Sequence, residues 1–328
     1  MKQDTCPNQT REQSVPVDRD AAVGVVTVTF NSALVIRAFM DSLLKQTHRH
    51  FKVYVIDNAS TDATLECLGE YHDPRIVIVR NFTNVGAAEG NNIGIRAALK
   101  DDCSCVVLIN NDTAFKEDLL FELLLGLKQH RSDMVVPKIL YFDRPNKIWS
   151  AGGYFSWWRG SARHFGSDRN DDGQFDRSRF VDYSPTTCML IKKEVFDVVG
   201  FLDAKYFAYF EDTDFCYRAR QAGIKLLYIS SAQLLHSVSS LTGRDSNFTV
   251  RYCIRNHVYY VLKNFPAWQR LFYLPALQFH VVTKFVLLRR NLSSFWLAEK
   301  AFSEGISLFY SQPDARVLYR TQCDEIKP

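Results

Sequence analysis

The stretch VGVVTVTFNS at residues 23–32 is a β-rich apolar run that ends in small polar residues. A second run of the same kind, KVYVIDNASTD, occupies residues 52–62. Short apolar runs that are each followed by a polar turn and an amphipathic stretch are typical of parallel strands joined by helices. These two stretches therefore predict an α/β fold.

The same alternation continues to about residue 137. The predicted strands are 23–30, 52–56, 76–79, 106–109 and 134–136. The predicted helices are 35–45, 62–71, 88–100 and 116–130. Helical periodicity returns at 212–222, and long aromatic and aliphatic helices are expected beyond residue 247. Ligands of such folds bind beyond the carboxyl ends of the strands, where the polar segments of this chain lie.

Composition excludes several classes of protein. The chain has 328 residues, 47% hydrophobic content and a net charge of +4, which fits one large core and argues against a nucleic-acid binder. Its eight cysteines include no Cys-x-x-Cys pair, so we expect reduced thiols without a structural zinc site. Residues 1–22 are polar and lack the apolar core of a signal peptide, which predicts a disordered leader on a cytoplasmic protein.

A carboxylate follows the second strand at Asp57. At a strand end it can accept the imide N–H of a uracil or thymine ring, and Ser60 is expected to cap the next helix. The alternative is an Asx-rich turn without a ligand.

Three glycines are spaced four residues apart in NVGAAEGNNIG, residues 84–94. Bare backbone on one side of a helix lets a diphosphate or sugar approach closely. The segment matches neither the dinucleotide-binding fingerprint nor a P-loop. Tight packing of the helix is the alternative.

The segment LINNDT, residues 108–113, places Asp112 at the end of a central strand. Its carboxylate can hold Mg²⁺ or Mn²⁺ against two phosphates, while the alternative is an Asx turn that caps the next helix. His236 follows the apolar run 232–235 and would supply a second ligand, although a lone histidine at a strand end is more often structural.

An acidic cluster begins a helix in YFEDTDFCYRARQAG, residues 209–223. Asp214 and Arg218 are four residues apart and should form an ion pair, and Gly223 should end the helix. Glu211 and Asp212 would lie at the helix N-terminus, where an ionised carboxylate can act as a base. A helix start needs only one acidic cap, so a purely structural reading explains less of the cluster.

Together these segments resemble the inverting family 2 glycosyltransferases of the GT-A fold, especially the rhamnosyltransferase-like bacterial members that build polysaccharides. The resemblance covers residues 23–240 and rests on the order of several motifs. These motifs are TFNS, DNASTD, NVGAAEGNNIG, NNDT and FEDTDFCYRARQAG, followed by His236. It implies a mixed sheet flanked by helices, with a catalytic domain at 23–245 and a helical C-terminal region at 246–328.

The resemblance also implies a role for each matching residue. The nucleotide-sugar-binding residues would be Thr29, Asn31, Asp57, Asn84, Gly86, Asn91 and Asn111. The ligands of a Mg²⁺ or Mn²⁺ ion would be Asp112 and His236, and the catalytic residues would be Asp212 as base with Glu211 beside it. Asn110 departs from the family pattern, in which many members have an aspartate, and reduces the charge around the metal.

The implied reaction is transfer of L-rhamnose from dTDP-rhamnose, or of a hexose from a UDP-sugar, to a glycan or polyprenyl-linked acceptor. A nucleotidyltransferase that makes a sugar nucleotide is an alternative, although residues 29–32 lack its Gly-rich basic loop. A non-catalytic nucleotide-sugar-binding protein is another alternative, against which the acidic cluster argues. A homo-oligomer is left open.

The C-terminal region is basic and aromatic, with no Asp or Glu from 246 to 298. The basic residues are Arg251, Arg255, Lys263, Arg270, Lys284, Arg289 and Arg290, among many aromatic ones. Such a segment can lie in an anionic membrane interface, which predicts a peripheral location on the inner face of the cytoplasmic membrane. It is too interrupted to span a bilayer. The alternative is a helical layer packed on the catalytic domain.

Overall fold

The computed structural model describes residues 21–237, 246–287 and 292–311. The leader predicted at 1–22 lies outside these residues except for its last two, as do Arg289 and Arg290 of the basic region. The strands are β1 Val23–Thr29, β2 Phe51–Asp57, β3 Ile76–Arg80, β4 Cys105–Ile109, β5 Thr113–Phe115, β6 Met134–Tyr141, β7 Ile148–Ser150, β8 Gly153–Ser156, β9 Ser161–His164, β10 Arg179–Val181, β11 Cys188–Lys192 and β12 Leu226–His236.

The helices alternate with these strands up to β6 and dominate the last part of the chain. They are α1 Ile36–Leu44, α2 Thr64–Gly69, α3 Gly86–Lys100, α4 Leu119–Gln129, α5 Lys193–Val199, α6 Glu211–Gln221, α7 Asn247–Asn264, α8 Ala267–Leu287 and α9 Leu292–Tyr310. A short 3₁₀ turn occupies Ala204–Tyr206. Every strand and helix predicted from periodicity is present, with bounds that differ by a few residues.

The central sheet is mixed. Its strand order is β10-β12-β6-β11-β4-β1-β2-β3, with β5 added beside β12 and β7 beside β6. β1 pairs in parallel with β2 and β4, and β12 pairs in parallel with β6, whereas β11 is antiparallel to both β4 and β6. The strands β1, β2, β4, β6 and β12 therefore all end at the same edge of the sheet.

Helices cover both faces of this sheet, which explains why its strands are apolar on both sides. Val25 of β1 packs in the cluster on the α1 and α4 face, with Phe39 and Leu123. Its neighbour Val26 packs in the cluster on the α3 and α6 face, with Ile95. Successive strand residues point to opposite faces, so one apolar run contributes to two cores.

Helix α7 attaches the C-terminal region to the rest of the chain. Tyr206 of the 3₁₀ turn is buried in a third cluster with Tyr259 and Tyr260 of α7. His257 of α7 donates from Nε2 to the carbonyl oxygens of Arg159 and Gly160 in the β8–β9 hairpin, at 3.1 and 3.0 Å. Within the described ranges, no helix is both long and apolar enough to cross a membrane.

Candidate functional site

The ends of β1 and β2 form one hydrogen-bonded unit around Asp57. Thr29 lies opposite Asp57 in register and donates from Oγ1 to its Oδ1 at 2.8 Å. Ser60 donates its hydroxyl to Oδ1 at 2.5 Å and its backbone N–H to Oδ2 at 3.0 Å. Ser60 thus turns back to Asp57 and does not cap α2, which corrects the prediction. The buried carboxylate has three donors.

Asn31 connects the same two loops. It has a left-handed backbone, with φ of 52°, and its N–H donates to the Ser60 hydroxyl at 3.0 Å. Its side-chain oxygen accepts from the Thr61 N–H at 2.8 Å. An asparagine tolerates this backbone better than most residues because its short polar side chain bonds locally. The contacts give Asn31 an observed role in shaping the loop.

Two glycines of the NVGAAEGNNIG segment pack α3 against β1. A Cβ on Gly90 would lie 2.8 Å from a methyl group of Val28, and one on Gly94 would lie 2.3 Å from a methyl group of Val26. Both distances are too short for a side chain, so the helix can approach the strand only through glycine. This is the packing alternative that the sequence left open.

Gly86, which was assigned to the diphosphate, also has a packing role. Its φ is +85°, and a Cβ there would lie 2.5 Å from the carbonyl oxygen of Phe207. That oxygen accepts from the N–H of Ala87 at 2.6 Å and of Ala88 at 3.4 Å, while Asn84 Oδ1 accepts from the N–H of Gly86 at 2.9 Å. The first amides of α3 are therefore already engaged within the protein.

A chain of asparagines borders this helix, and sequence reasoning did not single out two of its members. Asn81 donates to Asn58 Oδ1 at 2.8 Å, and Asn58 donates to Asn84 Oδ1 at 3.3 Å and to the carbonyl of Gly86 at 3.1 Å. Asn91 is buried on the same helix. The only sequence signal for this cluster was its spacing at the ends of β2 and β3.

Asp112 and His236 lie next to each other, as the sequence predicted. Asp112 follows β4 and His236 ends β12, and Asp112 Oδ1 is 3.3 Å from His236 Nε2. Both side chains are mostly buried. Asn111, assigned to the donor, donates its amide to the carbonyl of Val28 at 2.6 Å and so ties this turn to β1.

This pair fits a divalent cation. A carboxylate oxygen and an imidazole nitrogen suit Mn²⁺, and carboxylate oxygen suits Mg²⁺. The Nδ1 of His236 is buried without a hydrogen-bond partner among the described residues, which leaves Nε2 as the atom that faces Asp112. No group of three or more His, Cys, Asp or Glu side chains surrounds a common point in those residues. A bound cation would need further oxygen ligands from a substrate or water.

Glu211 and Asp212 begin α6, after Phe210 in a left-handed conformation with φ of 72°. Asp212 accepts from the N–H of Thr213 at 2.5 Å and from the hydroxyl of Tyr183 at 3.1 Å. The Oε2 of Glu211 is buried and lacks a partner among the described residues. Burial, with the charge of Asp212 beside it, raises the pKa of Glu211 to about 8, and burial also raises the pKa of Asp212.

Aromatic rings lie between Asp212 and the Asp112–His236 pair. The Tyr183 ring lies 5.5 Å from His164, His164 lies 4.8 Å from Trp149, and Trp149 lies 4.6 Å from His236, between ring centroids. Burial lowers the pKa of His164 to about 4, so this ring is neutral. Sequence reasoning missed these rings, because each stands alone in the 147–192 region without a motif. They form a continuous row of ring contacts from Tyr183, which donates to Asp212, to His236.

Two of the basic side chains of α7, Arg255 and Lys263, turn toward the rest of the protein, whereas Arg251 is exposed. Lys263 forms ion pairs with Asp203 at 2.7 Å and with Asp214 at 2.9 Å. Asp214 also pairs with Arg218 at 2.8 Å, as predicted. Arg251 pairs with Glu304 of α9, and Arg255 contacts backbone carbonyls of residues 205 and 206. Helix α7 therefore packs on the catalytic part, whereas contact of the C-terminal region with a membrane stays a prediction.

Two curated relatives have names that describe the transfer of a sugar. The low-salt glycan biosynthesis hexosyltransferase Agl10 of Haloferax volcanii is 26% identical over 62% of this chain and 64% of its own length. The N-acetylglucosaminyl-diphospho-decaprenol L-rhamnosyltransferase of Mycobacterium tuberculosis is 25% identical over 67% of this chain and 78% of its own. This chain covers only 28% of the length of another relative, an uncharacterized protein of Sinorhizobium fredii.

Solved structures share the fold. Residues 1–349 of TarS from S. aureus superimpose with a TM-score of 0.56 at 17% identity, over 90% of this chain and 82% of that one. GalNAc-T7, solved with UDP, GalNAc and Mn²⁺, gives a TM-score of 0.59 at 17% identity, over 78% of this chain and 54% of that one. These are GT-A glycosyltransferases, as the sequence predicted.

One sequence family covers more than half of the chain. Its match extends over residues 24–200, from β1 through β11 to the end of α5. It includes the loops of Asp57 and Asp112 and the aromatic side chains of Trp149, His164 and Tyr183. With the GT-A fold and the two strand-end sites, this match shows that the chain belongs to glycosyl transferase family 2.

Proposed function

We propose that this protein is an inverting glycosyltransferase that uses a nucleotide diphosphate sugar. The donor is L-rhamnose on dTDP or a hexose on UDP, and the acceptor is a glycan or a lipid-linked glycan. One observation carries the proposal: the half-buried, hydrogen-bonded carboxylate of Asp212 is linked to the Asp112–His236 pair by a row of aromatic side chains. That arrangement provides a base and a place for a diphosphate-bound cation.

Asp212 would accept the proton of the acceptor hydroxyl. As it does so, the acceptor oxygen forms a bond to the anomeric carbon, and the bond from that carbon to the diphosphate breaks on the opposite face. Tyr183 keeps its proton, because burial raises its pKa well above the usual value, and so remains a donor that orients Asp212. A Mg²⁺ or Mn²⁺ ion held by Asp112 and His236 would stabilise the negative charge of the departing diphosphate.

Asp57 would bind the base of the donor. An ionised carboxylate has about four acceptor positions, and the donors described above use two on Oδ1 and one on Oδ2. One position on Oδ2 remains for the imide N–H of uracil or thymine. Asn84 and Asn91 lie near the predicted path of the ribose and diphosphate, and they remain part of the proposal.

A thermal-shift screen with dTDP-rhamnose and UDP-sugars, with and without Mn²⁺, tests this function. Binding to the native state raises the apparent Tm, and we expect the rise to be larger with Mn²⁺. In Asp112→Asn the additional rise with Mn²⁺ should disappear while nucleotide binding persists. Release of free sugar and nucleoside diphosphate by the wild type would exclude a purely binding protein. No shift with any nucleotide sugar would contradict the proposal.

We also propose contact with an anionic membrane, through aromatic rather than basic side chains. The exposed apolar residues of the β8–β9 hairpin and α8 are Trp157, Trp158, Trp268, Leu271, Phe272 and Phe279. The hairpin touches α8, because a Cβ on Gly160 would lie 3.1 Å from the Tyr273 ring. Tryptophan favours the headgroup region of a bilayer. In a flotation assay with anionic liposomes, the wild type should float with the liposomes, whereas the double variant Trp157→Ser/Trp158→Ser should stay unbound. A wild-type protein that does not bind the liposomes at low salt would contradict the proposed membrane contact.

A further inference from the structure

The loop that precedes α6 has an unusual backbone. Phe207, Tyr209 and Phe210 have φ values of 64°, 66° and 72°, in the left-handed region that favours glycine. For bulky aromatic residues such a backbone is strained, and it persists only where surrounding contacts hold it. The loop therefore needs an external support.

That support is the side chain of Asn256 in α7. Its amide nitrogen lies 2.9 Å from the carbonyl oxygen of Tyr206, 2.6 Å from that of Ala208 and 2.7 Å from that of Tyr209. Asn256 is fully buried. The amide has two N–H donors, so at least one of them is shared between two of these three carbonyl oxygens, which all face the same nitrogen.

Arg255 supports the amide from the other side. Its Nε donates to Asn256 Oδ1 at 2.8 Å, which fixes the direction of the amide group. Its Nη2 donates to the carbonyls of Lys205 at 3.0 Å and Tyr206 at 2.6 Å. Two adjacent residues of α7 therefore hold the backbone of residues 205–209.

The loop held in this way touches both sides of the site. The carbonyl of Phe207 accepts from the N–H of Ala87 at the start of α3, beside the asparagine cluster. At its other end the loop continues through Phe210 directly into Glu211 and Asp212. A change in the loop would displace the base and loosen the start of α3 together.

We propose that Asn256 is a positioning residue for the transfer reaction. It acts through the 205–210 loop, which sets where Asp212 stands relative to the donor, so the helical C-terminal region is part of the catalytic apparatus. This inference rests on the proposed function, because the rate that Asn256 should affect is the rate of the proposed sugar transfer. Asn256 lies beyond residues 24–200 that match the family, and a single buried asparagine in a helix has no characteristic sequence pattern.

Asn256→Asp is the direct test. The substitution keeps the shape but replaces the donating amide with a carboxylate that faces three carbonyl oxygens. A misplacement of about 1 Å can cost roughly 100-fold in rate, so we expect kcat to fall about 10-fold to 100-fold. The Kd for UDP or dTDP with Mn²⁺ should change less than about threefold, because Asp57 and the metal pair lie on other elements.

Two further variants separate positioning from general stability. Arg251→Met removes a polar contact of the same helix, to Glu304, without touching the loop, and should leave kcat unchanged. Arg255→Met should lower kcat less than Asn256→Asp does. If Asn256→Asp does not fold, Arg255→Met takes its place in the test. A folded Asn256→Asp protein with wild-type kcat, or an equal loss in Arg251→Met, would overturn the proposal.

Hydrogen exchange provides a readout that does not depend on activity. The amides of Ala87 and Ala88 should exchange faster in Asn256→Asp and Arg255→Met, but not in Arg251→Met, because their acceptor belongs to the loop. If the wild type shows no turnover but these amides respond, the proposed reaction fails and the loop support stands. Unchanged exchange in both variants would refute the support itself.

Discussion

The molecule contains two buried carboxylate sites that are built in opposite ways. Asp57, at the edge of the sheet, accepts three hydrogen bonds from Thr29 and Ser60. Glu211, at the start of α6, is equally hidden but has an oxygen without a partner in the described part of the chain. Hydrogen bonds to a carboxylate favour its charged form, whereas burial without them favours the protonated form. The carboxylate of the first site is satisfied by hydrogen bonds, whereas the second site can hold a proton.

Asp212 lies between these extremes. It has donors from Thr213 and Tyr183, which favour its charge, yet burial raises its pKa. Its neighbour Glu211 lacks such donors on Oε2, and burial raises the pKa of Glu211 to about 8. From the contrast with Asp57 we propose that the sheet edge binds the donor and that α6 takes up the proton.

The largest expected effect comes from Asp212→Asn. An amide cannot take up the acceptor proton, so kcat should fall by roughly 10²–10⁴-fold while the donor Kd is largely kept. Single-turnover transfer and calorimetric titration of the nucleotide would measure the two quantities. Asp182→Asn, which removes the ion pair to Arg220 outside the proposed site, is the control and should retain activity. Near wild-type transfer by Asp212→Asn would remove this residue from the role of base.

A smaller and different effect is expected from Asp57→Asn. Loss of a charged acceptor for the imide N–H should raise the donor KM roughly 10-fold to 100-fold, with kcat almost unchanged. Steady-state kinetics with varied donor would show this split. Asp101→Asn, at the C-terminal end of α3, serves as the matched control. A fall in kcat at constant KM would contradict the proposal that Asp57 binds the donor and that Asp212 alone acts as the base.

The smallest effect concerns the pH dependence of stability in Glu211→Gln. Between pH 4.5 and about 8 the unfolded chain loses a proton that native Glu211 keeps, so wild-type stability falls as pH rises through this window. In Glu211→Gln there is no carboxyl group to titrate, so this fall in stability is absent. The Tm difference between variant and wild type should therefore increase by about 2–6 °C from pH 5 to pH 8 and then stay constant.

The exposed Glu66→Gln provides the comparison for this measurement. Its carboxyl group is in solvent, so the variant and the wild type should keep a constant Tm difference over the same pH range. Parallel curves for Glu211→Gln and the wild type would show that the buried carboxyl group does not retain its proton.

The fold and the principal site were predictable because they depend on local patterns. Strand ends are marked by polar residues after apolar runs, so the convergence of Asp57 and Asp112 followed from a parallel sheet. His236 was harder, since its partner is more than 120 residues away, but its place at a strand end still indicated the same edge. The bounds of α6 and the Asp214–Arg218 pair also followed from helical spacing.

Contacts between distant segments were not predictable from the sequence alone. Charge runs show that Lys263 is basic, but not that Asp203 and Asp214 draw it inward. Regular spacing suggested backbone exposed to a ligand at Gly90, where the facing side chain is in fact Val28. The support of the 205–210 loop by Asn256 left no sequence signal, because one buried asparagine in a helix has no characteristic pattern.

The carbonyl of Phe207 has one more consequence. Since it already occupies the first amides of α3, a diphosphate at this edge cannot rely on a helix N-terminus for neutralisation. The cation would then carry most of the phosphate affinity, whereas the nucleoside would be recognised separately at β2. Chelation with EDTA should accordingly abolish the advantage of a sugar nucleotide over its bare nucleoside, and leave uridine or thymidine binding as it was.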